Sequence, residues 1–132
     1  MYVVKVCRHI DAAHFLRGYR GKCEQVHGHR FKIVVYVEAD FTGADGMVCD
    51  FALLKRMIDE VVVSRYDHVL LNDVAPFDEI DPTAENLARE FFLLLDERMG
   101  RRSTGSSPQT APVRLRCVEV WESPDCCGAF ER

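Results

Sequence analysis

The order of the predicted secondary-structure elements places this chain in the α+β class. Two stretches rich in β-branched residues open the chain, two amphipathic helical patterns fill its middle, and two more strand patterns close it. The first two strands are expected to pair antiparallel, so that both ends of the long loop between them are anchored to a rigid sheet. With 132 residues, of which 48% are hydrophobic, the sequence predicts one domain over residues 1–132 with its own core.

The predicted strands are recognised by β-branched residues and by alternation of apolar and more polar positions. In the second strand, Phe31, Ile33, Val35 and Val37 alternate with more polar neighbours, which indicates one face turned to a core. The four predicted strands cover residues 2–10, 29–40, 113–122 and 128–130.

Both predicted helices have a recognisable start. Asp50 is a candidate N-cap for the first helix, whose apolar residues recur at helical spacing. Pro82 favours the first turn of the second helix, with Asp81 or Thr83 as its cap. The first predicted helix covers residues 51–65, and the second runs from its cap to residue 99.

The composition argues against several classes of function. The 17 Lys and Arg residues are outnumbered by 21 Asp and Glu residues, and the net charge of −4 disfavours nucleic-acid binding and favours a small-molecule partner. No apolar run approaches the ~18 residues of a membrane span, and a signal-peptide pattern is absent. We therefore expect a cytoplasmic protein with no membrane partner and reduced cysteines, with Cys7, Cys49 and Cys117 in the core.

A short segment from Cys23 to His29 concentrates groups that can bind a metal ion. In an extended chain, His27 and His29 point to one face with side chains about 7 Å apart, and Gly28 leaves room between them. His14 can supply a third imidazole, which is typical of a catalytic zinc site with one open position. Cys23 has two possible roles, as the fourth ligand of a closed structural site or as a thiolate beside the metal.

Two further groups suggest chemistry. Asp67 and His68 follow the first helix, where the pair can form an acid–base relay, although a histidine there can equally cap the helix end. The loop of residues 16–22 has three cations and no acid, so it either holds an anion or is simply solvated. These cations are Arg17, Arg20 and Lys22.

Taken together, the motifs resemble those of the 6-pyruvoyltetrahydropterin synthase and 6-carboxytetrahydropterin synthase family over nearly the whole chain. The matching segments are Asp11-Ala12-Ala13-His14, Cys23 with His27-Gly28-His29, Gly46-Met47-Val48 with Asp50-Phe51, Asp67-His68 with Leu71-Asn72, Pro82-Thr83-Ala84-Glu85-Asn86, and Trp121-Glu122-Ser123-Pro124. The gap of three residues between Cys23 and His27 looks like the bacterial carboxy branch that feeds queuosine synthesis. In the animal-type pyruvoyl enzymes this gap is typically longer.

The resemblance implies a tunnelling fold with the element order ββααββ. In that fold a four-stranded antiparallel sheet carries two helices on one face, and sheets from several subunits join into an oligomeric barrel. It also implies a homohexamer, built as a dimer of trimers, with its sites at subunit boundaries.

The resemblance also implies roles for individual residues. Zn²⁺ would be bound by His14, His27 and His29. Cys23 would be the proton acceptor, with Asp67 and His68 as the relay. Glu122 would take part in the relay and anchor the pterin, because a carboxylate can accept two parallel hydrogen bonds from a guanidine-like ring edge. Further substrate contacts are expected from Thr83 and Glu85, and we add Arg17, Arg20 and Lys22 as candidates for steering the triphosphate.

The implied reaction converts 7,8-dihydroneopterin triphosphate to 6-carboxy-5,6,7,8-tetrahydropterin, acetaldehyde and triphosphate. No redox cofactor is needed, because oxidation of the side chain is balanced by reduction of the ring. One alternative is 6-pyruvoyltetrahydropterin synthase activity, in which triphosphate is eliminated and the three-carbon side chain is kept. Another is a non-catalytic zinc-binding module in which Cys23 closes the site.

Overall fold

A single antiparallel sheet with the strand order β1-β2-β3-β4 organises the computed structural model, which describes residues 1–18, 21, 24–100 and 112–132. The strands are β1 (Tyr2–His14), β2 (His27–Ala39), β3 (Arg114–Ser123) and β4 (Cys126–Glu131). The predicted element order and the four-stranded antiparallel sheet are confirmed.

β1 and β2 are both longer at the end that carries the candidate site. β1 continues to residue 14 rather than residue 10, and β2 starts at residue 27 rather than residue 29. The antiparallel ladder continues without interruption to the pair His14 and His27, so backbone pairing extends the strands past the region where alternation is visible in the sequence. As a result, the candidate ligands lie on strands and not in the connecting loop.

The first helix, α1, is one continuous element with a widened turn inside it. It is α-helical over Phe51–Ile58, π-helical over Asp59–Val63 and α-helical again over Ser64–Tyr66. The predicted N-cap is confirmed, because the Asp50 carboxylate accepts a hydrogen bond from the Ala52 N–H at 2.8 Å. The π-helical turn was not predicted, since it differs from an α-helix by local backbone hydrogen bonding and has no distinct residue pattern.

The second helix, α2, covers Ala84–Gly100. Thr83 is the capping residue of the two candidates, because its Oγ1 accepts a hydrogen bond from the Asn86 N–H at 3.2 Å. Asp81 instead binds Arg17. Beyond α2, residues 101–111 of the predicted connection lie outside the described residues.

Both helices bury their apolar stripes in the same core, on one face of the sheet. The helices contribute Leu54, Ile58, Val62, Leu87, Phe91 and Leu95, and alternate strand positions contribute Val6, Ile10, Phe31, Ile33, Val35, Val37, Val118 and Val120. Cys117 is buried and Cys49 is half-buried, but Cys7 is exposed, because it alternates with Val6 and points away from the helices. Within the described part of the chain, no helix is long and apolar enough to cross a membrane.

Candidate active site

Three imidazoles meet at one end of the β1–β2 pair. His14 is the last residue of β1 and lies opposite His27, the first residue of β2, while His29 lies opposite Ala12. Because side chains alternate along a strand, His27 and His29 point to the same side of the sheet, and His14 joins them from the neighbouring strand. One ring nitrogen from each histidine lies within 4.8 Å of those of the other two. The predicted ligand set is therefore brought together.

Backbone carbonyls set the tautomer of two of these rings. The Nδ1–H of His14 donates to the Pro82 carbonyl at 2.8 Å, and the Nδ1–H of His27 donates to the Gln25 carbonyl at 2.7 Å. A carbonyl oxygen only accepts, so the proton of each neutral ring is on Nδ1 and the lone pair is on Nε2. These two Nε2 atoms are 2.9 Å apart, a separation at which two lone pairs repel unless a proton or cation lies between them.

His29 supplies a second sign that the cluster fits a metal ion. Its Nε2 is buried and has no hydrogen-bond partner among the described residues. A buried nitrogen without a partner is costly, and coordination by a cation would satisfy it. Burial is the largest cause that lowers the pKa of both His14 and His29, which favours the neutral, ligating form. Three neutral imidazoles at one point are a donor set that suits Zn²⁺.

Glu122 lies at the edge of the histidine cluster. It follows the core positions Val118 and Val120 on β3 by strand alternation, and its Oε1 is 4.0 Å from the His14 Nε2. Its side chain remains 30% exposed, so the carboxylate can accept hydrogen bonds from a ligand that enters from solvent.

The N-terminus of α2 is tied to the same cluster through the Pro82 carbonyl that orients His14. Thr83, the next residue, caps α2, and Glu85 lies in the first helical turn. The two residues predicted to bind substrate are therefore close in sequence to a group that contacts a candidate metal ligand. The Pro82 carbonyl itself could not be found from the sequence, because every residue carries such a group.

Asp67 and His68 form the predicted pair, but they lie apart from the three histidines. The Asp67 Oδ2 is 2.8 Å from the His68 Nδ1, and the Asp67 Oδ1 accepts a hydrogen bond from the Asp11 N–H at 2.9 Å. The bond from Asp11 is the largest cause that lowers the pKa of Asp67, and the bond to Asp67 is the largest cause that raises the pKa of His68. The pair is therefore suited to hold and transfer a proton.

The location of His68 separates it from the metal cluster of its own chain. It is 76% exposed and borders an open depression of ≈ 550 Å³ whose lining includes Asp11 and Arg30 and also reaches His29. Asp11 and Arg30 are one position away from Ala12 and His29, so by alternation they point to the opposite face of the sheet from the metal ligands. The His68 backbone has a positive φ of 58°, which is unusual for a residue with a side chain and marks the sharp end of α1.

The remaining predicted site residues are in or beside the loop after β1. Cys23, Arg20 and Lys22 lie outside the described residues. Arg17 lies among the described residues. Its guanidinium donates hydrogen bonds within the chain, to the Asp81 carboxylate at 3.2 Å and to the Phe77 carbonyl at 2.9 Å. Arg17 is therefore not a free cation available to a triphosphate, and we withdraw it from that hypothesis.

Comparison with known proteins gives consistent matches. A family model described as 6-pyruvoyl tetrahydropterin synthase matches residues 3–132. A 6-carboxy-5,6,7,8-tetrahydropterin synthase from Synechocystis sp. is 42% identical over 91 residues, which cover 66% of this chain and 69% of that protein. A dihydroneopterin monophosphate aldolase from Pyrococcus furiosus is 34% identical over 112 residues, which cover 85% of this chain and 82% of that protein.

A solved structure agrees with the fold. The 6-pyruvoyl tetrahydropterin synthase of Caenorhabditis elegans superposes with a TM-score of 0.75 at 28% identity, and the match covers 100% of this chain and 97% of that one. The resemblance inferred from the motifs is confirmed, and the structural neighbours are tunnelling-fold proteins. This chain belongs to the 6-pyruvoyl tetrahydropterin synthase family.

Proposed function

We propose that this chain is a zinc-dependent 6-carboxytetrahydropterin synthase of the queuosine pathway. It would convert 7,8-dihydroneopterin triphosphate and one water molecule to 6-carboxy-5,6,7,8-tetrahydropterin, acetaldehyde and triphosphate. The observation that carries the proposal is the convergence of three histidine nitrogens beside the Glu122 carboxylate. The short gap between Cys23 and His27 and the similarity to carboxy-type relatives support the carboxy product over the pyruvoyl product.

The proposed metal is Zn²⁺, held by His14, His27 and His29. When bound, Zn²⁺ supplies Lewis-acid chemistry to the hydroxyl groups of the substrate side chain. The Glu122 carboxylate binds the guanidine-like edge of the pterin through two parallel hydrogen bonds, and this fixes the orientation of the ring. Thr83 and Glu85 add substrate contacts from the start of α2.

Two groups of the chain move protons in this proposal. Cys23, as a thiolate, accepts the carbon-bound proton of the substrate side chain. His68, oriented by Asp67, transfers a second proton. Arg20 and Lys22 remain the candidates for binding the triphosphate, because cations with bidentate or point-charge donors suit phosphate oxygens.

The position of His68 supports an assembly in which the site is shared between subunits. Within one chain, the Asp67–His68 pair forms a group with Asp11 that is separate from the group of three histidines, although His29 and His68 border the same open depression. We propose a cytoplasmic homohexamer, as a dimer of trimers, in which the pair of one subunit reaches the metal cluster of its neighbour.

The proposal is tested by product analysis with matched variants. Zinc-loaded protein is incubated with 7,8-dihydroneopterin triphosphate, and the products are read by mass spectrometry. We expect 6-carboxytetrahydropterin and acetaldehyde from the unchanged protein, none from Cys23→Ala, and unchanged product from Cys7→Ala, which removes an exposed thiol remote from the site. Zinc content should be the same in all three proteins.

Other outcomes would select a different function. A product that keeps the three-carbon side chain would assign pyruvoyl synthase activity. No turnover in any protein, together with a large loss of zinc from Cys23→Ala, would identify a closed zinc-binding module in which the thiolate is the fourth ligand.

A further inference from the structure

The chain that leaves β1 immediately after His14 is held in place by hydrogen bonds from the side chain of Asn72. The side chain of Asn72 binds the Phe15 backbone in both directions: the Phe15 N–H donates to Asn72 Oδ1 at 3.0 Å, and Asn72 Nδ2 donates to the Phe15 carbonyl at 3.0 Å. Asn72 is only 5% exposed. A side-chain amide is suited to this task because it can donate and accept at once, as a paired strand does.

Backbone hydrogen bonds join the same two segments of the chain just before His14, at Asp11 and Ala13 of β1. The Ala13 N–H donates to the Val69 carbonyl at 3.0 Å, and the His68 N–H donates to the Asp11 carbonyl at 2.7 Å. The segment around residues 68–72 therefore runs alongside β1 and fixes the backbone on both sides of His14.

Arg17 makes the corresponding connection to the segment before α2. Its backbone N–H and its Nη1 both donate to Asp81 Oδ1, at 3.1 and 3.2 Å, and its Nη2 donates to the Phe77 carbonyl at 2.9 Å. The Asp81 carbonyl in turn accepts hydrogen bonds from Asn86 Nδ2 and from the Thr83 N–H, each at 2.9 Å. Arg17 is thus joined through Asp81 to the residues on either side of Pro82.

The contacts of Asn72 adjoin the metal cluster at Phe15, the residue after His14. The contacts of Arg17 and Asp81 adjoin it at Pro82, whose carbonyl accepts the Nδ1–H of His14 at 2.8 Å. The orientation of His14 depends on the distance between the end of β1 and the start of α2. Asn72 holds the first of these segments, and Arg17 connects it to the second.

We propose that Asn72 and Arg17 are positioning residues that fix the orientation of the metal ligand His14 and, with it, the place of the substrate-binding start of α2. The part of the proposal that concerns substrate binding at the start of α2, where Thr83 lies, rests on the proposed function. The part that concerns the orientation of His14 and metal binding does not depend on the reaction. Groups that orient a metal ligand typically change metal affinity by about 10- to 100-fold when removed.

The test measures metal binding separately from turnover. The variants are Asn72→Ala, Asn72→Asp and Arg17→Lys, and the control is Arg98→Ala. Arg98 pairs with Glu60 at 2.9 Å on the helices, so its replacement reproduces the loss of a surface ion pair. Zinc dissociation constants are obtained by competition with a chromophoric chelator, the visible spectrum of the Co²⁺-substituted protein reports ligand geometry, and thermal unfolding of the metal-free protein reports stability.

We expect a zinc dissociation constant raised by about 10- to 100-fold and an altered Co²⁺ spectrum in Asn72→Ala and Arg17→Lys, with both unchanged in Arg98→Ala. Asn72→Asp keeps the acceptor for the Phe15 N–H but loses the donor to the Phe15 carbonyl, so it should also weaken zinc binding. Lower unfolding temperatures with an unchanged dissociation constant and Co²⁺ spectrum would reduce these residues to a structural role and overturn the proposal. If Asn72→Ala does not fold, the Arg17→Lys result decides.

Turnover adds an independent readout. In an active enzyme, Arg17→Lys should raise KM for the dihydropterin, because the start of α2 is displaced, and zinc supplementation should not restore it fully. If the unchanged protein shows no turnover but the zinc and Co²⁺ results are as expected, the proposed function fails and the positioning role stands.

Discussion

The hydrogen bond between Asp67 and His68 gives a pH dependence that can be tested at the level of single residues. Asp67 raises the pKa of His68, chiefly through the hydrogen bond between their side chains, and Asp11 makes a smaller contribution of the same sign. His68 therefore stays an imidazolium to a higher pH than a free histidine does. A proton supplied by His68 is available below this raised pKa and is lost as the pH rises through it.

We predict that Asp67→Asn shifts the alkaline limb of the kcat/KM profile to lower pH. The neutral amide cannot stabilise the imidazolium as a carboxylate does, so the pKa of His68 falls back toward its usual range. The pH–rate profile of the variant is compared with that of Asp125→Asn, which changes an exposed acid at the β3–β4 turn and should behave as the unchanged protein. An alkaline limb that does not move would show that His68 does not provide the titrating proton.

Packing between elements sets the position of α2 on the sheet, and the backbone of Gly128 on β4 lies close against the first turn of α2. A Cβ added at Gly128 would lie 2.6 Å from the Ala84 carbonyl carbon and 2.6 Å from the Glu85 nitrogen. These are backbone atoms, which cannot move away as a flexible side chain can. The absence of a side chain on β4 is therefore what lets the first turn of α2 approach the sheet and reach the candidate site.

We predict that Gly128→Ala destabilises the protein by about 1–3 kcal/mol, the usual cost of overpacking a well-packed interior. The displacement of the first turn of α2 should also raise KM. Urea unfolding measures the first effect, with Gly100→Ala as the control, because an added Cβ at Gly100 meets nothing within 4 Å. Equal stability of the two variants would mean that α2 can shift at no cost.

At the scale of the whole molecule, the location of His68 raises a question that can be tested, namely whether one chain or two complete the proposed site. The three imidazoles belong to one chain and one ring nitrogen of each lies within 4.8 Å of those of the other two, while the Asp67–His68 pair forms its own separate group with Asp11. If two subunits complete each site, an inactive metal-ligand variant and an inactive relay variant should complement each other.

We predict that co-expression of His14→Ala with His68→Ala restores activity, in about a quarter of the sites for random assembly of two chains into a closed oligomer. Co-expression of His14→Ala with His27→Ala should restore none, because both ligands come from the same chain. Activity is measured on mixed assemblies purified through two different tags. If purified mixed assemblies of the first pair are inactive, each site draws its metal ligands and its relay from one chain.

Much of the architecture could be predicted from local patterns. Alternation along residues 29–40, the cap at Asp50 and the apolar stripes of the helices determined the α+β class and the element order, because each depends on neighbours a few residues away. The spacing of His27 and His29 likewise determined that these two rings share one face, since the period of a strand is two residues.

Contacts between distant segments were decided only by the tertiary structure. The register that places His14 opposite His27 extended β1 and β2 beyond the predicted ends, and the same register turned Cys7 away from the core. Arg17 looked like a free cation in its loop, yet carboxylate and carbonyl oxygens about 60 residues away take up its hydrogen bonds. The Pro82 carbonyl orients His14 from 68 residues away, and it left no sequence signal because every residue has a carbonyl. Residue types thus determined which chemistry is available, and the packing of segments far apart in sequence decided which of these groups meet.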